Sequence, residues 1–482
     1  MAAPWEPWLE RAARTWPQAV ACEVDGDRVS CADLRARALA TARRLRAAGV
    51  LPGDRVAAFV TPGTFFLELL HAAQFGRWTL VPPNLRLGAE ALGRLVVHAE
   101  PALVLHDDAH ADLARSVGGA TITATGELAR MAVDTAPLQQ AGAEDVLTLV
   151  YTSGTTGAPK AVELTNANYE AGADASIARL GCAPGDRWLA AMPMCHVGGL
   201  SIAVRCALAG MTVVQHPGFD ATSVDRSLRH DEIGFVSLVP TMLARVLDAG
   251  GDVPYPSTLK AVVLGGGRLP AALVGRAQRA SVPLVATFGM SETAAQVTTS
   301  WPGDASRHPG SAGHPLDGVA IRIGVPGSDG VGEILVRGAQ VFRGYFRDPE
   351  RTVRSLQGEW LHTGDLGRLD DDGRLWVEVR RTDLIVSGGE NVNPEVVEEV
   401  LALHPGVAEV AVFGVEDEEW GQRVAAAVVL RAGATVGDGE LRQWCRERLA
   451  AFQVPREFVR VAELARTISG KVKRLDCFRL LK

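Results

Sequence analysis

Paired cysteines, a block of basic residues and a long apolar run are all missing from this chain. Its seven cysteines (Cys22, Cys31, Cys182, Cys195, Cys206, Cys445, Cys477) are odd in number and scattered, without a Cys-x-x-Cys pair or a Cys/His grouping at zinc spacing. This argues against a disulfide scaffold or a structural zinc site and fits a reducing compartment. Nothing in the sequence reverses a formal charge of −7, so a general nucleic-acid binder is not expected. Local clusters such as Arg43-Arg44-Leu45-Arg46 fall on an alanine-rich helical pattern and read as a solvated face. No uninterrupted apolar stretch approaches the roughly 20 residues a membrane span needs. The start, Met1-Ala2-Ala3-Pro4-Trp5-Glu6, lacks a basic segment leading into an apolar core. No secretory signal is therefore expected, and the cytoplasm is the expected location.

What is present is an ordinary globular composition, 47% hydrophobic and 22% charged over 482 residues. That length exceeds one compact core and suggests about two to four subdomains. Residues 8–107 alternate amphipathic helices with short apolar strands, including an Asp25-Gly26 hairpin turn and a helix that stops at Gly49. Such alternation predicts stacked α/β layers with largely parallel sheets. No chemistry is assigned to residues 1–145.

One decapeptide organises the rest: Tyr151-Thr152-Ser153-Gly154-Thr155-Thr156-Gly157-Ala158-Pro159-Lys160, directly after the apolar run Val146–Val150. Glycines let backbone approach a bulky anion, hydroxyls and amide groups solvate its oxygens, and a lysine adds a point charge suited to phosphate. The spacing is not that of the common nucleotide P-loop, in which the second glycine runs directly into Lys-Ser/Thr. Read alone, the stretch is also compatible with a turn after a core strand.

The decapeptide resembles the phosphate-binding loop of the adenylate-forming superfamily, which comprises acyl- and aryl-CoA ligases, peptide-synthetase adenylation domains and luciferases. Ala161 stands where that family has a final glycine. Further motifs follow in family order. Pro193-Met-Cys-His196-Val-Gly-Gly199 ends an apolar strand and is similar to the family phrase beside the acyl pocket, which implies roles there for His196, Val197, Gly198 and Leu200. Phe235–Val239 is a strand with a proline stop at Pro240. Gly265-Gly266-Gly267-Arg268 follows a buried strand; the resemblance implies that it lines adenine and the acyl pocket. Thr287-Phe288-Gly289-Met290-Ser291-Glu292 resembles the family's Tyr-Gly-Met-Thr-Glu. It implies a ring for adenine at Phe288, a hydroxyl near the α-phosphate at Ser291, and a magnesium ligand at Glu292 assisted by Thr156. Gly266, Gly289, Ala294 and Ala295 complete the implied acyl pocket.

Thr363-Gly364-Asp365 resembles the segment whose aspartate accepts both ribose hydroxyls, and Arg380 is the second ribose or phosphate contact. The family's hinge falls on Thr382 and Asp383; the threonine departs from the usual Asp or Lys. Ser387-Gly388-Gly389-Glu390 is a glycine turn matching the coenzyme A channel. Strands 408–414 and 424–430 and a helix over 438–451 follow. The final Arg466-Thr-Ile-Ser-Gly-Lys471 looks like the terminal phrase whose lysine enters the active site.

These matches imply a large N-terminal core of stacked, mostly parallel sheets with a β-rich subdomain (1–380), a hinge (381–383) and a small mobile α/β domain (384–482). The implied enzyme is an AMP-forming acid–thiol ligase using ATP, Mg2+ and coenzyme A, with Lys160, Lys471, His196 and Glu292 as catalytic candidates. Its partners would be small molecules, with no nucleic acid and no membrane span, and a homodimer stays open. Phrases such as Arg187-Trp-Leu-Ala-Ala-Met-Pro, Gly210-Met-Thr-Val-Val and Arg380-Arg-Thr-Asp-Leu-Ile most resemble 2-succinylbenzoate–CoA ligases of menaquinone synthesis. Small apolar residues at Gly198, Ala294 and Ala295 keep a monocarboxylic aromatic or medium-chain acid open. Transfer to a carrier-protein thiol and a luciferase-like activity also stay open.

Overall fold

The computed structural model describes residues 5–482 apart from 88, 119–120, 153–159, 252, 268, 328–329, 381–384, 388–389, 418–420, 450, 467–471 and 473–482. The chain divides into two compact units. The first holds Met1–Arg322, Leu335–His362 and Gly373–Leu375; the second holds Ile323–Ile334, Thr363–Asp372 and Trp376–Lys482.

Two large sheets build the first unit. A nine-stranded sheet runs in the order His314–Pro315, Thr298–Thr299, Leu284–Phe288, Ala261–Leu264, Phe235–Leu238, Arg187–Ala190, Thr212–Gln215, Val20–Val24, Asp27–Ser30. Its central strands are parallel, as short apolar runs covered by helices on both faces should be. Leu189, Val236, Val262 and Leu284 pack with Leu228, Val246, Leu273 and Ala277 from flanking helices. Each such buried leucine contributes about 1.5–3 kcal/mol. A seven-stranded sheet runs Gly344–Tyr345, Lys160–Thr165, Val146–Thr152, Thr79–Val81, Arg55–Phe59, Leu103–His106, Thr121–Ala124. Strand Lys160–Thr165 is antiparallel to both of its neighbours, whereas the far four strands are parallel.

A five-stranded sheet that includes Gly332–Arg337 and Trp360–Leu369 supplies the β-rich part expected of the chain. The second unit carries the sheet Glu390–Val392, Ile385–Ser387, Gly421–Leu430, Val407–Asp417, with Glu457–Arg460 parallel to Gly421–Leu430. Helices Pro394–Ala402 and Asp438–Arg446 cover it through Val397, Leu401 and Leu441. Among the described residues, no helix is long and apolar enough to cross a membrane.

Three local expectations need correction. The strand before His196 ends at Ala190, six residues early, and His196 instead sits at the N-cap of helix Val197–Ala209. The strand before Pro240 ends at Leu238, one residue early, and Pro240 itself opens helix Pro240–Gly250, where a missing N–H costs nothing. The helix over 438–451 stops at Arg446, and a short 3-10 turn, Ala451–Gln453, precedes Pro455.

Candidate active site

The decapeptide joins two antiparallel strands, and Thr152 pairs in register with Lys160. A P-loop would instead run from strand into helix, so the glycine spacing and the topology agree. Residues Ser153, Gly154, Thr155, Thr156 and Gly157 lie outside the described residues. Lys160 opens the second strand and reaches Glu292, with Nζ 2.6 Å from Oε1. Glu292 is only 3% exposed, so its charge needs a close partner, and Lys160 supplies one.

Glu292 comes from a one-turn 3-10 segment, Ser291–Thr293, after strand Leu284–Phe288. The Met290 N–H donates to Thr293 Oγ1 at 3.1 Å, which closes this turn. Tyr345 meets the same carboxylate, its hydroxyl donating to Oε1 at 2.7 Å. Its ring also faces Lys160, whose Nζ lies 4.7 Å from the centroid. Burial, and next the neighbouring Glu292 charge, push the phenol pKa well above its usual value, so the hydroxyl stays a donor.

The backbone around this centre is tightly constrained. A Cβ on Gly289 would lie 1.5 Å from the carbonyl oxygen of Ala295, so no other residue fits there. Beside it, Ala294 and Ala295 both take positive φ, 50° and 110°. For alanine that is strained backbone, of the kind concentrated at functional sites. At the triple glycine, Gly266 has φ +77°, and a Cβ on Gly265 would press to 3.0 Å from Thr287 Cγ2. Gly267 follows this turn, and Arg268 lies outside the described residues.

The implied acid pocket is held from behind. Ser201, on the helix that begins at Val197, donates to the Ala294 carbonyl at 3.0 Å. One turn further on, Arg205 donates to Gln296 Oε1 at 3.0 Å. Gln296 Nε2 in turn donates to Thr299 Oγ1 at 3.1 Å and Thr287 Oγ1 at 3.3 Å. Ser201 thus ties the helix that carries Leu200, itself fully buried, to the Ala294 backbone. A Cβ on Gly198 would meet Met192 Cε at 3.2 Å, and one on Gly199 would meet the Pro193 carbonyl oxygen at 2.5 Å. Arg205 is buried, and that desolvation brings its pKa down to about 10. Its charge lies 4.8 Å from the centre of the Trp188 ring.

In the second unit, Asp365 is buried within strand Trp360–Leu369. Its N–H donates to Thr363 Oγ1 at 3.1 Å after a left-handed Gly364 at φ +74°. Arg380 ends strand Leu375–Arg380, and Ser387 pairs with Glu390 in a hairpin. Gly388, Gly389, Thr382, Asp383 and Lys471 lie outside the described residues, as do the side chains of Arg380 and Glu390.

Sequence reading missed Tyr345, Ser201, Arg205 and Gln296. For Arg205 a signal existed, a single charge within the otherwise apolar helix Val197–Ala209. Tyr345 gives none, because it lies 53 positions from Glu292 along the chain.

The AMP-binding enzyme family matches residues 9–346, and the AMP-binding enzyme C-terminal domain matches residues 396–471. A 2-succinylbenzoate–CoA ligase of Geobacillus kaustophilus is 38% identical over 481 residues, covering 98% of this chain and 97% of that protein. Its Bacillus cereus counterpart is 36% identical over 483 residues, with 98% of each chain covered. Among solved structures, o-succinylbenzoate CoA synthetase from Bacillus subtilis bound to its acyl-adenylate intermediate superposes with a TM-score of 0.92 at 34% identity, covering 98% of both chains. The same enzyme with ATP and a magnesium ion gives a TM-score of 0.90 at 34% identity, covering 97% of this chain and 98% of that one.

Proposed function

This chain belongs to the AMP-binding enzyme family, and on that premise we propose that it joins 2-succinylbenzoate to coenzyme A, with ATP cleaved to AMP and pyrophosphate. The observation that carries the reading is the meeting of Lys160 and Glu292 at the foot of the glycine-rich hairpin. It puts a phosphate-binding cation and a metal-binding carboxylate at one point.

In the first step a carboxylate oxygen attacks the α-phosphorus while the bond to pyrophosphate breaks. Two anions meet, so cations must sit where charge accumulates. Lys160 would neutralise the leaving phosphates, and Lys471 would bridge the acid and the α-phosphate. Glu292, with Thr156, would hold Mg2+. The residues fit that ion. Glu292 offers a buried carboxylate beside Lys160, and Mg2+ is commonly bound by one or two carboxylates with phosphate oxygens and water. Bound there, it would spread the negative charge of the phosphates. Because Lys160 now neutralises Glu292, nucleotide and metal together would exchange partners with this pair without stranding a buried charge.

In the second step the thiol sulfur attacks the acyl carbon and the bond to AMP breaks. Lys471 must withdraw, and we assign rotation about residues 381–383 to this, with Ser387–Glu390 lining the thiol channel. Asp365 and Arg380 would hold the ribose. His196, Val197, Gly198, Leu200, Gly266, Gly289, Ala294 and Ala295 would face the acid. We propose that the reaction serves menaquinone synthesis in the cytoplasm; the six described cysteines are free, as a reducing compartment would keep them. A homodimer is the association state to test, by sedimentation.

Small apolar residues at Gly198, Ala294 and Ala295 favour a second reading, a monocarboxylic aromatic or medium-chain acid. Pyrophosphate release measured over a panel of acids, with and without coenzyme A, separates the two. The proposal expects 2-succinylbenzoate to give the highest kcat/KM. A higher value for benzoate or octanoate would replace it with the second reading.

A further inference from the structure

Tyr345 touches both members of the charged pair, and both contacts to Glu292 fall on the same oxygen. Its hydroxyl lies 2.7 Å from Oε1, and Lys160 Nζ lies 2.6 Å from that atom. Two donors on one carboxylate oxygen fix the rotation of the group and direct the other oxygen. The Tyr345 ring meanwhile supports the ammonium of Lys160.

Tyr345 is itself held on several sides. Strand Gly344–Tyr345 pairs with Val162 and Glu163, two and three residues beyond Lys160. The Tyr345 N–H donates to Thr352 Oγ1 at 2.9 Å. Phe342, whose ring meets that of Tyr345 edge-on with centroids 4.8 Å apart, donates its N–H to the Glu292 carbonyl at 2.8 Å. Segment 342–345 thus grips Glu292 by main chain and side chain alike, and a buried tyrosine with two charged neighbours is more than filler.

We propose that Tyr345 is a positioning residue for the metal–nucleotide complex. Its hydroxyl turns the Glu292 carboxylate so that Oε2 meets the cation, and its ring holds Lys160 ready for the phosphates. This rests on the metal reading of Glu292 given above.

Tyr345→Phe keeps the ring and removes only the hydroxyl. ATP binding is measured by titration calorimetry over a range of free Mg2+ and also in EDTA. The free Mg2+ needed for half-maximal ATP binding rises about tenfold in Tyr345→Phe, the order expected for a lost hydrogen bond to a charged group. Binding in EDTA stays at the parental value, and the melting temperature falls by only the few degrees that one lost hydrogen bond costs the free protein. Tyr345→Leu, which also loses the ring, weakens binding in EDTA as well. In a Glu292→Gln background the Tyr345→Phe effect disappears, because it acts through that carboxylate; an effect of packing alone would persist and add. A Mg2+ curve for Tyr345→Phe that overlays the parent's, while Glu292→Gln shifts it, overturns the role of Tyr345 alone. A Glu292→Gln curve that also overlays the parent's removes the metal reading beneath it.

Discussion

The charged centre at Lys160 and the wall behind helix Val197–Ala209 solve opposite problems within the same unit. The first concentrates ionised groups, with a 2.6 Å ion pair whose carboxylate is almost wholly buried. The second is built from small residues: a Cβ at Gly198 would crowd Met192 and one at Gly289 the Ala295 carbonyl, Ala294 and Ala295 take positive φ, and Ser201 and Arg205 bond to the Ala294 carbonyl and to Gln296. Under the proposed function, chemistry common to every acid would belong to the first region, and the choice of acid to the second. A substitution at the charged centre should therefore act alike on every acid, and one at the wall should not.

The largest expected effect follows from removing Lys471, the cation proposed to bridge the acid and the α-phosphate. Lys471→Ala should lower acyl-AMP formation by about a thousandfold, and thioester formation from supplied acyl-AMP should be largely spared. Gly389→Trp should do the reverse, blocking only the thiol step. Separate assays of the two half-reactions check both; equal loss in both steps would deny Lys471 its place in adenylation alone.

Next is Lys160→Ala, expected to cost about a hundredfold in adenylation. The loss should be the same for 2-succinylbenzoate and for any slower acid. A loss that differed tenfold between acids would erase the division between the two regions.

Gly289→Ala sharpens the other side. With no room for a Cβ beside the Ala295 carbonyl, the variant should lose about 1–3 kcal/mol of stability. Urea denaturation measures this directly, and unchanged stability would show that the 294–295 turn yields freely.

The smallest effect concerns His71, which lines a small internal cavity with Ala203, Cys206 and Ala207 of the wall helix. Full burial lowers its pKa from 6.5 to about 4. Between these values the unfolded chain binds a proton that the native histidine refuses, so stability falls as pH drops below 6.5. The expected loss is roughly 1 kcal/mol from pH 7 to pH 5.5. Melts across that range should be flatter in His71→Gln; identical slopes would show that another group sets the acid sensitivity.

Much of this was legible in the sequence because it is local. Glycine spacing in 151–160 excluded a P-loop, and Lys160 indeed begins an antiparallel strand. The phrase that carries Glu292 singled it out, and the structure sets its carboxylate against Lys160. The strand before His196 was read six residues too long because an apolar run carries no mark of where pairing stops; it ends at Ala190, opposite Gln215, where its neighbour Thr212–Gln215 also ends. The helix from Asp438 stops at Arg446 although helix-favouring residues continue past it. Tyr345 and Gln296 were invisible for a different reason. Their partners lie 53 and 91 positions away, and only the folded sheets bring them together.

Pyrophosphate exchange into ATP, followed without coenzyme A, tests the central claim most directly. The account predicts rapid exchange that depends on 2-succinylbenzoate and Mg2+, with AMP released once coenzyme A is added. No exchange in the presence of the acid, or ADP as the nucleotide product, would contradict it.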